Sequence, residues 1–332
     1  MAVLAVAGTV AFTAGPKSPP KHAIANPRLV SLAVEVPSEP LQPIPGTSGH
    51  IPRKIALGHR LFTDTRLSQD GTIACATCHR PDRGGADDVA LTPGLRGRLG
   101  EVNVPTIINS RFSVAQFWDG RVTTLEEQVD QPLHNPAEMG SNWPEAITRI
   151  AGDRRYAEEA QAIYGTPLSP AIVRDAIAAY ERSLVSNNSR FDAFLRGNTD
   201  ALSHEERTGY RLFKEYGCAA CHQGSAVGGN MYQRMGLFGN YFNDRSGALT
   251  TADRGRFNVT GDPADMHVFK VPSLRNVVQT APYFHDGSAS SLEGAIAIMG
   301  RYQLGRDIPL RDIELITAFL AALSAPPEGS AR

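Results

Sequence analysis

The chain has 332 residues, 33 Lys and Arg against 34 Asp and Glu, and a formal net charge of −1. So even a balance leaves no field to attract a polyanion, which excludes nucleic acid as a partner. The hydrophobic share of 42% is that of an ordinary folded protein, and no apolar run is long enough for a conventional membrane-spanning helix. Met1 to Gly15 is apolar and small, like the core of an export signal, but lacks a basic segment before it. It reads as an export segment whose start lies upstream, or as a short anchor. From Pro16 to Pro52 nine prolines mark a linker or extended arm.

Helices follow. Pro52 opens one that runs to about Phe62, with Ile55, Leu61 and Phe62 as apolar anchors. Thr124 and Glu127 form a capping-box signature for a helix reaching about Asp130. Ser169 and Pro170 start another, with Ile172, Val173, Ala176, Ile177, Tyr180 and Leu184 on one face. Ser203 with Glu206 caps a further helix, stapled by Leu202 and ending at Gly217. Ser291 to Met299 and Leu310 to Leu323 read as two more. Between them lie long Gly-rich loops, Pro81 to Val104 and Gly224 to Val268, of a length that is uncommon unless it serves a site. No run shows sustained strand alternation, so the fold class is mainly α with long loops.

The four cysteines decide the chemistry. They occur as Cys75-Ala76-Thr77-Cys78-His79 and Cys218-Ala219-Ala220-Cys221-His222, the attachment pattern of c-type haem. Two residues between the thiols let each reach one vinyl group of the porphyrin, and the next side chain falls under the iron. His79 and His222 are therefore the expected proximal ligands. A zinc site would need the two pairs at closer spacing. A thioredoxin-like motif would need a βαβ context, and disulfides would leave both histidines unexplained. Covalent haem is attached outside the bacterial cytoplasm, which points to the periplasm. Helix, haem string, long loop and further helices occur twice. The chain thus divides into a signal-like segment and linker (1–49), a first haem domain (50–186) and a second (187–332).

Several strings then resemble the bacterial di-haem cytochrome c peroxidase family: Ala56-Leu57-Gly58, Leu61-Phe62, Ala115-Gln116-Phe117-Trp118-Asp119-Gly120-Arg121, Glu138-Met139, Pro282-Tyr283-Phe284-His285 and Ile298-Met299-Gly300. The likeness covers about Pro52 to Leu323. It implies two cytochrome c-like domains, each with one covalent haem c. It implies an enzyme that reduces hydrogen peroxide to water with electrons from a small cytochrome c or cupredoxin, and a homodimer. The first haem would be peroxidatic and the second the point of electron entry.

The resemblance also carries residue roles. Met299 matches the sixth ligand of the second haem, where a thioether raises the potential. By composition alone it is a helix methionine filling a core gap, with Met231, Met235 and Met266 as competitors. Tyr302, one turn on, could share its face. Tyrosine ligation is what the methylamine-dehydrogenase-maturing di-haem enzymes look like here, and Met299 argues against joining them. Glu138 matches the acid–base group for peroxide, Gln128 a pocket amide, and Trp118 the residue between the haems. Without the match, Glu138 is a solvated glutamate and Trp118 is core. Asn103, Thr280 and Pro282 match oxygen ligands of a calcium ion. Arg275 and His285 are neighbours for haem propionates, or structural.

One departure stands out. Most of the family carries a histidine that blocks the resting first haem from the loop after its string. Here residues 80–102 contain none, and Leu95 falls about where it is expected. His134 is the histidine nearest in sequence to that pocket, and a surface role suits it better than ligation. The expectation is a first haem open in the oxidised state. The alternatives are a di-haem oxidant that modifies a partner protein, which the missing histidine favours, and a pure di-haem electron carrier.

Overall fold

The computed structural model describes Ala2, residues 39–46 and residues 48–327. Apart from Ala2, the signal-like segment lies outside the described residues, as does most of the Pro-rich arm. The described residues from 39 to 327 form one compact unit.

The unit is mainly helical. In chain order its α-helices are α1 (Pro52–Phe62), α2 (Cys75–Cys78), α3 (Leu125–His134), α4 (Trp143–Ala151), α5 (Arg154–Tyr164), α6 (Pro170–Ser183), α7 (Arg190–Leu195), α8 (His204–Glu215), α9 (Tyr241–Asp244), α10 (Phe257–Thr260), α11 (Leu292–Ile298) and α12 (Leu310–Ala321). The caps read from the sequence form. Thr124 Oγ1 accepts from the Glu127 N–H at 3.2 Å, and Glu127 Oε2 accepts from the Thr124 N–H at 3.3 Å. Ser203 and Glu206 make the same reciprocal pair at the head of α8. α3 runs past Asp130 to His134 and accommodates Pro132 in its last turn. α4, α5 and α7 went unread in the sequence, although Asn142, Asp153 and Ser189 cap them.

Two hydrophobic clusters hold the unit together. The first joins α1, α3, α4, α5 and α6 through Leu57, Leu61, Phe62, Leu133, Ile150 and Ile177. The second joins α7, α8, α11 and α12 through Phe191, Tyr210, Phe213, Ile296, Ile316 and Phe319. The end of the Pro-rich arm belongs to the second. Leu41 is fully buried there, and the Ile44 N–H donates to Asp192 Oδ1 at 3.0 Å.

Each cluster is centred on a close helix crossing that only glycine permits. A Cβ on Gly58 of α1 would lie 1.9 Å from the Ala176 carbonyl oxygen and 2.9 Å from Tyr180 Cβ on α6. A Cβ on Gly209 of α8 would lie 1.9 Å from the Leu315 carbonyl oxygen and 3.0 Å from Phe319 Cβ on α12. The architectural repeat is thus also a repeat of contacts.

The long loops carry short turns and one small sheet, β1 (Tyr232–Arg234) antiparallel to β2 (Val268–Lys270). Three-residue strands are too short for alternation to reveal. The loops also hold a repeat in sequence: Val104-Pro105 with Phe117-x-Asp119-Gly120, and Val271-Pro272 with Phe284-x-Asp286-Gly287, at constant separation. Both phenylalanines take positive φ, 67° and 71°, as do both glycines, 67° and 65°. The two copies clasp each other. The Asn103 N–H donates to the His285 carbonyl at 2.7 Å, and the Lys270 N–H donates to the Trp118 carbonyl at 2.8 Å. Among the described residues, no helix is long and apolar enough to cross a membrane.

The crossings generate a prediction. Gly58→Ala and Gly209→Ala each force two helix backbones apart, so each should lower unfolding stability by about 1–3 kcal/mol, read from guanidinium midpoints.

Candidate active site

In the first half α2 presents Cys75 and Cys78, and His79 follows at its end. Burial pushes the thiols up, to about 12 at Cys75 and about 11 at Cys78. Desolvated in this way, both thiols stay protonated and unreactive as free side chains. Burial also lowers the pKa of His79, so its ring is neutral. Its Nδ1 lies 3.3 Å from the Gly85 carbonyl. With Nδ1 protonated toward that oxygen, Nε2 is left as the ligating atom.

The second string is built alike. Burial pulls His222 down to about 4, against the pull of the nearby Val227 and Pro272 carbonyls. Its Nδ1 is buried without a hydrogen bond of good geometry. A Cβ on Gly228 would sit 3.2 Å from that nitrogen and 2.2 Å from the Pro272 oxygen, so the loop closes tightly behind the ring. In front lies a largely apolar cavity lined by Cys218, Cys221, His222 and Met299, with Phe213, Ile316 and Leu320 among its walls. Two thiols, a neutral imidazole and an apolar cavity fit a haem.

Met299 ends α11 and opens a single π-turn, Met299–Gln303. Such turns re-aim side chains and occur often at functional sites. Met235 lines the same cavity; Met231 and Met266 are not among its lining residues. Tyr302 packs edge-on against Tyr241, with ring centroids 5.4 Å apart.

Trp118, Asn103, Thr280 and Pro282 also line this cavity, although Trp118 and Asn103 come from the first half. The Trp118 Nε1–H donates to the Asn103 carbonyl at 2.9 Å, and its ring meets His285 at 6.5 Å and 72°. Asn103 uses its amide N–H on the carbonyls of Val89 and Ala90, so the amide oxygen is the atom left to accept or ligate.

Glu138 stands in the loop after α3. Asn135 Nδ2–H donates to its Oε1 at 2.7 Å. Burial raises its pKa, against that hydrogen bond and the charge of Arg121. Its charge is felt at both Cys75 and Cys78, which puts it beside the first string. Gln128 is half-buried on α3, the helix from which this loop departs. Leu95 is 3% exposed, and its N–H donates to the carbonyls of Ala137 and Glu138 at 3.2 and 3.0 Å. An alkyl side chain backed onto the Glu138 loop offers no atom to iron. His134 is exposed at the end of α3, edge-on to Trp143 at 6.5 Å.

The propionate expectation for Arg275 and His285 gives way to the structural one. Arg275 is fully enclosed in the second core. Its guanidinium donates to the carbonyls of Ser225 and Gln42, to Ser189 Oγ and to Asp192 Oδ2 at 3.0 Å. No donor nitrogen is left over. His285 bonds Asp253 Oδ1 through Nε2 at 2.7 Å. Burial lowers its pKa, while Asp253 stays ionised because Thr250, His285 and Arg245 outweigh its burial. Asp253, His285 and Asp286 are spaced like metal ligands, yet Arg245 already pairs with both carboxylates. The residue missed in the sequence is Lys270. It lines the cavity, makes no ion pair among the described residues, and is pulled down to about 8 by burial. The Val-Pro repeat, which sets Lys270 opposite Asn103, was the available signal.

A family model described as di-haem cytochrome c peroxidase matches residues 52–200. Cytochrome c551 peroxidase of Nitrosomonas europaea is 42% identical over 295 residues, which cover 89% of this chain and 86% of that protein. The chain belongs to the di-haem cytochrome c peroxidase family. It is an oxidoreductase of the peroxidase class, and haem is the cofactor this membership implies. Cytochrome c peroxidase Ccp of Escherichia coli is 43% identical over 88% of this chain, which spans only 62% of that relative's length. The crystal structure of a MauG-like protein associated with microbial copper homeostasis matches with a TM-score of 0.73 at 30% identity, covering 88% of this chain and 95% of that one.

The enclosure of Arg275 has a measurable consequence in this di-haem peroxidase. Arg275→Met strands the Asp192 carboxylate, itself fully buried, and should cost about 3–5 kcal/mol in chemical unfolding of the haem-loaded protein.

Proposed function

We propose that this chain is a periplasmic di-haem peroxidase that reduces hydrogen peroxide to water with electrons from a small cytochrome c or cupredoxin. The observation that carries this reading is the contrast between the two sites. Beside one string stand a desolvated carboxyl and a leucine; the other faces a cavity lined by Met299. Haem c, joined to Cys75 and Cys78 above His79 and to Cys218 and Cys221 above His222, supplies the redox centres and the peroxide-binding iron.

Around the first centre, Glu138 takes a proton from the near peroxide oxygen and returns it to the departing one. Its burial supports this, because a carboxyl raised above its usual range takes up a proton more readily and can return it. Asn135 fixes the orientation of Glu138, and Gln128 offers an amide to hold peroxide or water. Leu95 leaves the peroxide side without a protein ligand, so no reductive activation is needed. At the second centre Met299 would supply a ligand to the haem iron, and Lys270, on the same cavity lining, would neutralise a haem carboxylate. Trp118, set between the halves, lies on the route for electrons. Asn103 Oδ1 and the carbonyls of Thr280 and Pro282 would hold a calcium ion, which would steady that junction. The enzyme works as a homodimer. The units 50–186 and 187–332 are the two haem domains, preceded by the export segment and arm.

Leu95 also favours a second reading, an oxidant that modifies a partner protein. Steady-state peroxide turnover with a reduced cytochrome c separates the two, since a protein-modifying oxidant turns over slowly without its partner.

Two outcomes test the primary reading. Glu138→Gln should keep both haem spectra and lower kcat by about 10²–10⁴-fold. The acid limb of the wild-type profile should lie above the ordinary carboxylate range, because the base is lost as pH falls through a raised pKa. Retained turnover in the variant removes Glu138 from the mechanism. Spin resonance of the fully oxidised protein should show one high-spin and one low-spin haem; two low-spin signals would defeat the open first centre.

A further inference from the structure

The two helix crossings match residue for residue. Gly58 meets Ala176 and Tyr180 as Gly209 meets Leu315 and Phe319. One step further in that register pairs Glu181 with Leu320. Leu320 lines the second haem cavity together with Phe213 and Ile316, whose counterparts are Phe62 and Ile177. Phe62 and Ile177 are buried core residues of the first half. The repeat therefore sets Glu181 on the wall of the first haem site, where the second site has a leucine.

Glu181 has the surroundings of a wall residue. It is 4% exposed, and its Oε2 is buried without a hydrogen-bond partner. Its charge is felt at Cys75 on α2. The charged and titratable groups around it are Tyr180 and Arg182 on α6, Glu126 on α3 and Cys75. α1 adds His59, whose ring lies 4.9 Å from that of Tyr180. Arg182 does not neutralise Glu181, because its guanidinium donates to Glu126 Oε2 at 2.6 Å. Burial pushes the Glu181 carboxyl up to about 8. An unpaired carboxyl in an apolar wall is costly, and a merely structural residue here would be apolar, as Leu320 is.

We propose that Glu181 is a redox-linked proton acceptor on the wall of the first haem site. As that haem gains one electron from the donor side, the Glu181 carboxylate gains one proton from solvent; both leave on reoxidation. One O–H bond forms for each electron taken up, so the net charge of the buried site does not change. The oxidised haem carries one more positive charge and favours the carboxylate, while the reduced haem favours the acid. Leu320 gives the second haem no such carboxyl on its wall, so the proton coupling open to that centre is the one Lys270 supplies from the cavity lining. This rests on the reading above that a haem is held over His79.

Spectroelectrochemical titration of the matured di-haem protein from about pH 5 to about pH 9 tests it. The first-haem midpoint should fall as pH rises through the window in which Glu181 ionises. Glu181→Gln should flatten the first haem's profile and leave the second unchanged, and Glu181→Asp should retain a slope. Leu320→Glu should steepen the second haem's profile, which keeps the test decisive if a variant at 181 fails to fold. A level first-haem midpoint in the unaltered protein, or an unchanged slope in Glu181→Gln, overturns the proposal. Pyridine haemochrome analysis reports separately on the underlying reading: a protein without haem at Cys75 and Cys78 overturns both.

Discussion

The two halves are held in register by a reciprocal pair of backbone hydrogen bonds, Asn103 N–H to the His285 carbonyl and Lys270 N–H to the Trp118 carbonyl. Each half supplies one donor and one acceptor, so neither bond forms unless both loops are in place. The positive φ of Phe117 and Phe284 turns each loop so that its next carbonyl faces the other half. Trp118 reaches the second cavity because of this clasp, and His285 comes against its ring. Asn109 and Asn276 pin the chain nearby, each within its own half. The Ser186 N–H donates to Asn109 Oδ1 at 3.0 Å, and the Ala325 N–H to Asn276 Oδ1 at 2.9 Å. Directional bonds of this kind fix a chain segment more sharply than apolar contact could.

On that frame the same scaffold is built twice and given different chemistry. The helix crossings, the CxxCH strings and the Phe-x-Asp-Gly loops are shared. The differences fall on a few positions: Glu181 against Leu320, Asn103 against Lys270, Trp118 against His285. Each exchanges an apolar or neutral side chain for an ionisable one, in a setting where burial magnifies its electrostatic effect. The second cavity is apolar with one unpaired lysine, and the first string is flanked by two desolvated carboxyls. That asymmetry is what two centres with separate tasks require.

What was legible in the sequence was local. The CxxCH strings, the capping boxes at Thr124 and Ser203, and the proline at the head of α6 each act within a few residues, so their outcome follows from composition and spacing. The length of α1 and the existence of the major amphipathic helices follow from the same short-range rules. So did the absence of a histidine between residues 80 and 102. Helices α4 and α5 were missed although their caps were present. The small sheet went unread because its strands meet across more than thirty intervening residues that carry no alternation.

Tertiary structure decided the rest. Whether Arg275 faces a haem carboxylate or Asp192 depends on which buried acid the chain brings to it, and Asp192 lies far away in sequence. The π-turn at Met299, the backing of Leu95 onto the Glu138 loop and the clasp around Trp118 likewise join segments that share no local signal. The burial of Glu181 follows from a glycine crossing that no periodicity encodes. By itself the sequence determined the two CxxCH strings and where helices are capped, because spacing and capping are short-range. Which ionisable groups lose their water beside each site was settled only by the packing, because desolvation depends on every neighbour at once.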